Sequence, residues 1–194
     1  MRDEPIPASG VESIRVAGLD DLLGLFPETR RMLRGVRGIP APAVPSPYRE
    51  LLVHEEHMTV TLERFHGAPV DLEVFEVRRD GDDYARRLIL RVGAQGPVVL
   101  AGIVRIQLEQ TGDAVRRDIL SARTPLGRVL IENGVLRRLQ TAAFLRLELS
   151  HGLGEVFGAP ASCHTTYGRL ATIHCDERPA IELLEIVAPA GDGT

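Results

Sequence analysis

The chain has no lysine: all 23 of its basic residues are arginine. Lysine Schiff-base chemistry and lysine-anchored pyridoxal phosphate are therefore excluded. The Walker A phosphate loop is excluded too, because it needs its lysine. Any anion this protein binds must be met by arginine, by backbone N–H groups or by histidine. Cysteine is almost as scarce, and Cys163 and Cys175 are too few for a disulfide framework. No window approaches the roughly 18 consecutive apolar residues of a membrane-spanning helix. An excess of positive charge is also lacking: 23 basic and 27 acidic residues give a formal net charge of −4. A general nucleic-acid binder would be basic, so no nucleic-acid partner is expected. The opening residues MRDEPIPASG are acidic where a secretory leader is cationic, and no apolar segment follows them. The expectation is a cytoplasmic protein with no membrane partner.

What is present is an ordinary globular composition, 194 residues with 44% hydrophobic and 26% charged side chains. A chain of this length buries about 70% of its unfolded surface, so it needs no disulfide or metal to hold it. Residues 1–15 carry two prolines and little pattern, and read as a loose arm. Leu19, Leu22, Leu23 and Phe26 have helical spacing over 19–34, with Pro27 breaking or restarting the helix. GIPAPAVPSP (38–47) holds four prolines and reads as an extended linker. A helix follows, with Ser46 as N-cap, Pro47 at its first position and Leu51, Met58, Leu62 and Phe65 on one face. It stops at His66-Gly67.

From there the period changes to two. Val70, Leu72 and Val74 alternate with polar residues, RRDGDD (78–83) is a turn, and 84–92 and 97–109 are strands joined by GAQG. Residues 113–122 are helical, and Thr124-Pro125 opens a further short helix that ends at Asn133-Gly134. Residues 135–149 return to strand, 150–165 read as a long loop, and 167–175 and 179–188 form a final pair of strands. Short turns between successive strands require antiparallel pairing. The fold class expected is α+β, a roughly six-stranded antiparallel sheet with helices packed on one face. The divisions expected are an arm and linker over 1–47, a domain over 48–189 and a tail over 190–194.

Three features carry chemistry. In the last strand Ile181, Leu183, Glu185 and Val187 share a face, and Glu182 shares the other with Leu184 and Ile186. A carboxylate in an apolar row is either paired or raised in pKa, and raised carboxylates serve acid/base catalysis. In YARRLIL (84–90), Arg86 shares a face with Leu88 and Leu90, while Arg87 takes the opposite one. An inward arginine must meet a carboxylate, from the protein or from a ligand. Arg105 on the next strand shares a face with Ile103 and Gln107. Two inward arginines and one glutamate suit a small dicarboxylate, and equally suit a structural ion pair. In TPLG (124–127) a loop turns into a helix, whose first N–H groups are open to an anion. HEEH (54–57) has its histidines three apart, not the four of a zinc-protease helix. Cys163-His164 and His174-Cys175 do not have a zinc spacing. No metal or cofactor is expected.

Four blocks, in order, resemble the chorismate pyruvate-lyase family and, more broadly, the fold it shares with UTRA ligand-sensing domains. They are LLVHEEHMTVTLERFHGAPVDLEVFEV (51–77), YARRLIL with PVVLAG (97–102), TPLGRVL (124–130) and YGRLATIHCDERPAIELLEIVAP (167–189). The resemblance implies an antiparallel sheet with the ligand under helical flaps. It also implies a cofactor-independent lyase that converts chorismate to 4-hydroxybenzoate and pyruvate. Carried over residue by residue, the catalytic glutamate falls on Glu185. The carboxylate-binding arginine falls on Arg86, or on Arg87 if the longer hairpin shifts the register. The backbone contact falls on Leu126, and Met58 lines the pocket. Where the family has an arginine after Leu-Ala-Gly this chain has Ile103, with Arg105 two residues later. The expected partner is a small aromatic or cyclohexadienyl carboxylate. Two alternatives remain: a non-catalytic binder of aromatic acids, and an enzyme for another chorismate-derived acid.

Overall fold

The computed structural model describes residues 18–160 and 162–190. The alternating segments form one antiparallel sheet of seven strands: β1 (Leu33–Ile39), β2 (Val70–Asp80), β3 (Asp83–Val92), β4 (Val98–Gln107), β5 (Arg137–Leu149), β6 (Thr165–Cys175) and β7 (Arg178–Val187). Their order is β1-β5-β6-β7-β4-β3-β2. Tight turns carry β2 into β3, β3 into β4 and β6 into β7, so these neighbours pair antiparallel as short connections require. The α+β class and the antiparallel sheet match the sequence reading, with one strand more than the six expected.

That strand is β1. Its LRGVRGI sequence has no clean alternation, and prolines follow it closely. It pairs with β5 over Leu33–Ile39, with a register shift at Leu33/Gly35. Residues 33–39, which overlap the end of the expected helix and the start of the expected linker, are an edge strand of the same sheet. Before it lie α1 (Leu19–Leu25) and α2 (Pro27–Arg31), divided at Pro27, which takes the first position of α2. The expected arm over residues 1–15 and the tail after Ala190 lie outside the described residues.

Between β1 and β2 run α3 (Tyr48–Leu52) and α4 (Met58–His66); between β4 and β5 run α5 (Asp113–Ser121) and α6 (Leu126–Glu132). The single helix expected after Ser46 is thus two helices, with HEEH in the loop between them. Neither α3 nor α6 has a side-chain cap, and the residues preceding them are Pro47 and Pro125. The expected long loop after Leu149 contains α7 (His151–Val156).

Helices α3 to α6 cover one face of the sheet, and their core includes Leu52, Leu62, Leu88, Leu90, Ile119 and Leu183. The other face packs against α1 and α7 through Leu22, Leu23, Phe26, Ile89, Ile103 and Leu153. Leu88 and Leu90 belong to the first core and Ala85 and Ile89 to the second. The two-residue period of β3 therefore sends Arg86 to the α3–α6 face and Arg87 to the other.

Candidate functional site

The register sets Leu88, Gly102, Glu185 and Arg169 side by side across β3, β4, β7 and β6. Directly opposed residues have Cβ atoms about 5 Å apart, close enough to act together. Gly102 leaves the middle of this row without a side chain. A Cβ there would lie 2.9 Å from the Leu184 carbonyl oxygen, so β4 and β7 approach too closely for any other residue. Over the row sit the starts of α4 and α6. They pack so tightly that a Cβ on Gly127 would lie 2.8 Å from Thr59 Oγ1. Between these helices and the sheet is a cavity of about 580 Å³, its mouth included.

Most of the wall is apolar, formed by residues such as Leu72, Leu90, Leu100, Leu139 and Ile173. Its ionisable residues are Arg86, Arg169, Glu185 and His57. Arg169 is fully buried, and its Nε donates to Glu185 Oε2 at 2.5 Å. Its Nη1 donates to the carbonyls of Leu52 and His54, and its Nη2 has no partner among the described residues. Arg86 is 1% exposed, and its Nε and Nη1 have no partner among the described residues. Burial pushes its pKa down, against the opposing pull of Tyr84. His57 is held neutral, its pKa lowered to about 4 by burial and by Arg137. Two guanidinium groups against one carboxylate leave the cavity with one uncompensated positive charge.

The loop between α3 and α4 closes one side of the cavity and is held by arginines from the sheet. Arg169 grips its first carbonyls. Arg137 donates from Nε to His57 Nε2 at 2.8 Å and from Nη1 to the Glu55 carbonyl at 2.5 Å. The break between the two helices thus has a physical cause: the freed carbonyls find charged donors, which are stronger partners than neutral ones.

No protein-family model and no curated protein sequence matches the chain. Solved structures do. PhnF from Mycobacterium smegmatis is similar at 10% identity and a TM-score of 0.47, over 70% of this chain and 65% of that one. YydK from Bacillus subtilis, described as a possible transcriptional regulator, is similar at 11% identity and a TM-score of 0.45, over 64% and 62% of the two chains. The C-terminal domain of the histidine utilization repressor from Pseudomonas syringae is similar at 8% identity and a TM-score of 0.41, over 64% and 97%. The chain spans less than two thirds of the length of YydK and of PhnF. Likeness at this level carries no function from those proteins to this one.

Of the residues singled out from the sequence, Arg86, Glu185, Met58 and Leu126 line the cavity together. Met58 opens α4 and Leu126 opens α6. Arg105 does not join them. It shares its face with Ile103, which packs in the core opposite the cavity. There it pairs with Asp83 at 2.7 Å and Glu182 at 3.7 Å. Strand alternation is the reason: Leu100, Gly102 and Val104 face the cavity, and Arg105 has the opposite parity. Arg87 is likewise on the far face, its guanidinium over the ring of Phe75. Sequence reasoning missed Arg169. The signal was there, since Tyr167, Arg169, Ala171 and Ile173 form an apolar row with one charge, the same pattern that marked Arg86 and Glu185. His57 was weighed only as a metal ligand.

Proposed function

We propose that the cavity binds a small carboxylate with an apolar, ring-sized body. The observation that carries this reading is Arg86: a guanidinium 1% exposed, with two nitrogens lacking protein partners, in a cavity with one positive charge to spare. A buried charge must be paired or neutralised, and with no lysine in the chain and His57 neutral, arginine is the cation in this cavity that can meet an anion. A monocarboxylate on Arg86 brings the cavity to neutrality. Its body would lie against Leu88, Leu90 and Leu126, under Met58. The protein is then a binder of aromatic or cyclohexadienyl acids.

A second reading is favoured by Glu185, which lines the same cavity. It is the lyase reading, with chorismate as substrate. Chorismate is a dianion. Two carboxylates, one on Arg86 and one on the free Nη2 of Arg169, turn the spare positive charge into one negative charge. In this reading Glu185 is the acid/base group beside the ether. In the reaction the ring C–O bond breaks and the ether oxygen gains a proton. The ring carbon bearing the hydroxyl loses one, so the proton count balances. Aromatisation drives the step, and the protein's part is to bind, to exclude water and to relay one proton.

The test is incubation with chorismate, followed by chromatography for 4-hydroxybenzoate and pyruvate, with calorimetric titration of 4-hydroxybenzoate in parallel. Equimolar products, lost in Glu185→Gln, support the lyase. Binding of 4-hydroxybenzoate without turnover supports the binder alone. A protein that neither turns over chorismate nor binds any benzoate tried overturns both.

A further inference from the structure

The opposite face of the sheet carries a second cavity, beneath α2 and α7, of about 390 Å³ with its mouth included. Its wall is almost wholly apolar, with Met32, Ile103, Leu153 and Ile186 among its residues. Leu88, Gly102 and Leu184 line both cavities, so the two lie back to back across the sheet. Consecutive residues of β3 serve them, Arg86 the first and Arg87 the second.

Two buried polar atoms on residues of this apolar wall have no partner among the described residues, Arg87 Nε and Thr29 Oγ1. They come from different elements, β3 and α2. The Glu76 carboxylate is ion-paired with Arg87 Nε at 3.9 Å, a distance that leaves the N–H without a hydrogen bond. The Arg87 guanidinium lies 5.6 Å from the ring centre of Phe75, an aromatic side chain that is 49% exposed and also lines the cavity. Buried donors in proteins are normally satisfied, and those left unmatched call for an explanation. A carboxylate accepts from a guanidinium N–H and from a hydroxyl at once. An apolar body suits the remaining wall, and Phe75 offers it a ring face at the rim.

We infer that this second cavity binds a small apolar monocarboxylate, its charged end between Arg87 and Thr29 and its body against Phe75 and the apolar floor. The inference is independent of what the first cavity binds, since neither Arg86 nor Glu185 lines the second.

The probe is octanoate, followed by the methyl resonances of isoleucine and leucine in the intact chain. Expected is a saturable shift at Ile103, Leu153 and Ile186, with little change at Ile173 and Leu126 of the first cavity. Arg87→Met should weaken binding about tenfold or more, as loss of a charge-assisted bond does. Thr29→Val should weaken it several-fold, and neutral octanamide should bind about tenfold more weakly than octanoate. The methyl spectrum reports folding of each variant directly, and the wild-type shifts locate the probe without any variant. Shifts confined to the first cavity, no saturation in the millimolar range, or equal binding of acid and amide would each overturn the inference.

Discussion

Replacing Arg86 by methionine should stabilise the free protein and weaken its binding of carboxylates. Methionine keeps the length and the packing of the arginine stem but brings no charge and no N–H group. The wild-type side chain is 1% exposed and leaves Nε and Nη1 without protein partners. Each unsatisfied buried donor costs about 1–3 kcal/mol. Water admitted at the cavity mouth offsets part of that, so a gain of about 1–2 kcal/mol is expected. For a chain of this size that raises Tm by roughly 2–8 °C. Binding should move the other way. A charge-assisted hydrogen bond in a dry pocket is worth about 1.5–3 kcal/mol, so affinity for 4-hydroxybenzoate should fall about 10- to 150-fold. Ligand at a hundred times the wild-type Kd stabilises the wild type by about 2.7 kcal/mol, and this increment should shrink to about 0.3–1.4 kcal/mol in the variant. The assay is thermal unfolding with and without ligand, with calorimetry for Kd. A variant that is less stable than wild type and binds as tightly would refute the reasoning, because Arg86 would then be a structural cation with an unrecognised partner.

Glu185→Gln should destabilise by about 3 kcal/mol, the low end for unpairing a buried charge, because the amide oxygen still accepts from Arg169; urea titration measures it. His57 sets a pH dependence. Its pKa is about 4 in the folded chain and about 6.5 unfolded, so the unfolded chain takes up a proton first as pH falls. Stability is therefore full above about pH 7 and is lost between roughly 6.5 and 4. The loss is about 1–2 kcal/mol after solvent screening at the cavity edge. His54 and His66 are lowered by burial as well, so the readout is the slope that disappears in His57→Gln. Gly127→Ala puts a Cβ 2.8 Å from Thr59 Oγ1 and 3.0 Å from His57 Cβ. It should cost about 1–3 kcal/mol by pushing α4 and α6 apart, and should weaken ligand binding in the same titration. Arg105→Gln should cost less than about 1 kcal/mol, since the pair with Asp83 is only half-buried and Glu182 is exposed, and should leave ligand affinity unchanged.

Much of the site was legible because the rows that carry Arg86 and Glu185 keep a two-residue period. Glu185 and Arg86 each interrupt a row of apolar residues at a two-residue period, and that alone aimed them inward. Arg169 has the same signature, one charge in the apolar row of Tyr167, Ala171 and Ile173. Arg105 shows where the method stops. Alternation says which residues share a face, but not which face of β4 meets the cavity side of β3; pairing decides that, and it placed Arg105 opposite. The break between α3 and α4 was illegible for a related reason. The helical spacing of Leu51, Met58 and Leu62 runs across it. What ends α3 there is a grip from Arg169, a residue more than a hundred positions away in the chain.

The sequence by itself determined the secondary-structure periods, the antiparallel pairing of its hairpins, and the exclusion of lysine chemistry, because these depend on composition and on neighbours a few residues apart. The tertiary structure alone decided that 33–39 is an edge strand and that a glycine opens the floor of the row from Leu88 to Arg169. It also decided that Arg169 satisfies Glu185 while Arg86 is left over. Those facts depend on which distant residues lie within about 5 Å of one another. Arg169, hydrogen-bonded to a carboxylate, is a structural partner; Arg86, with no carboxylate beside it, is left to anchor a ligand.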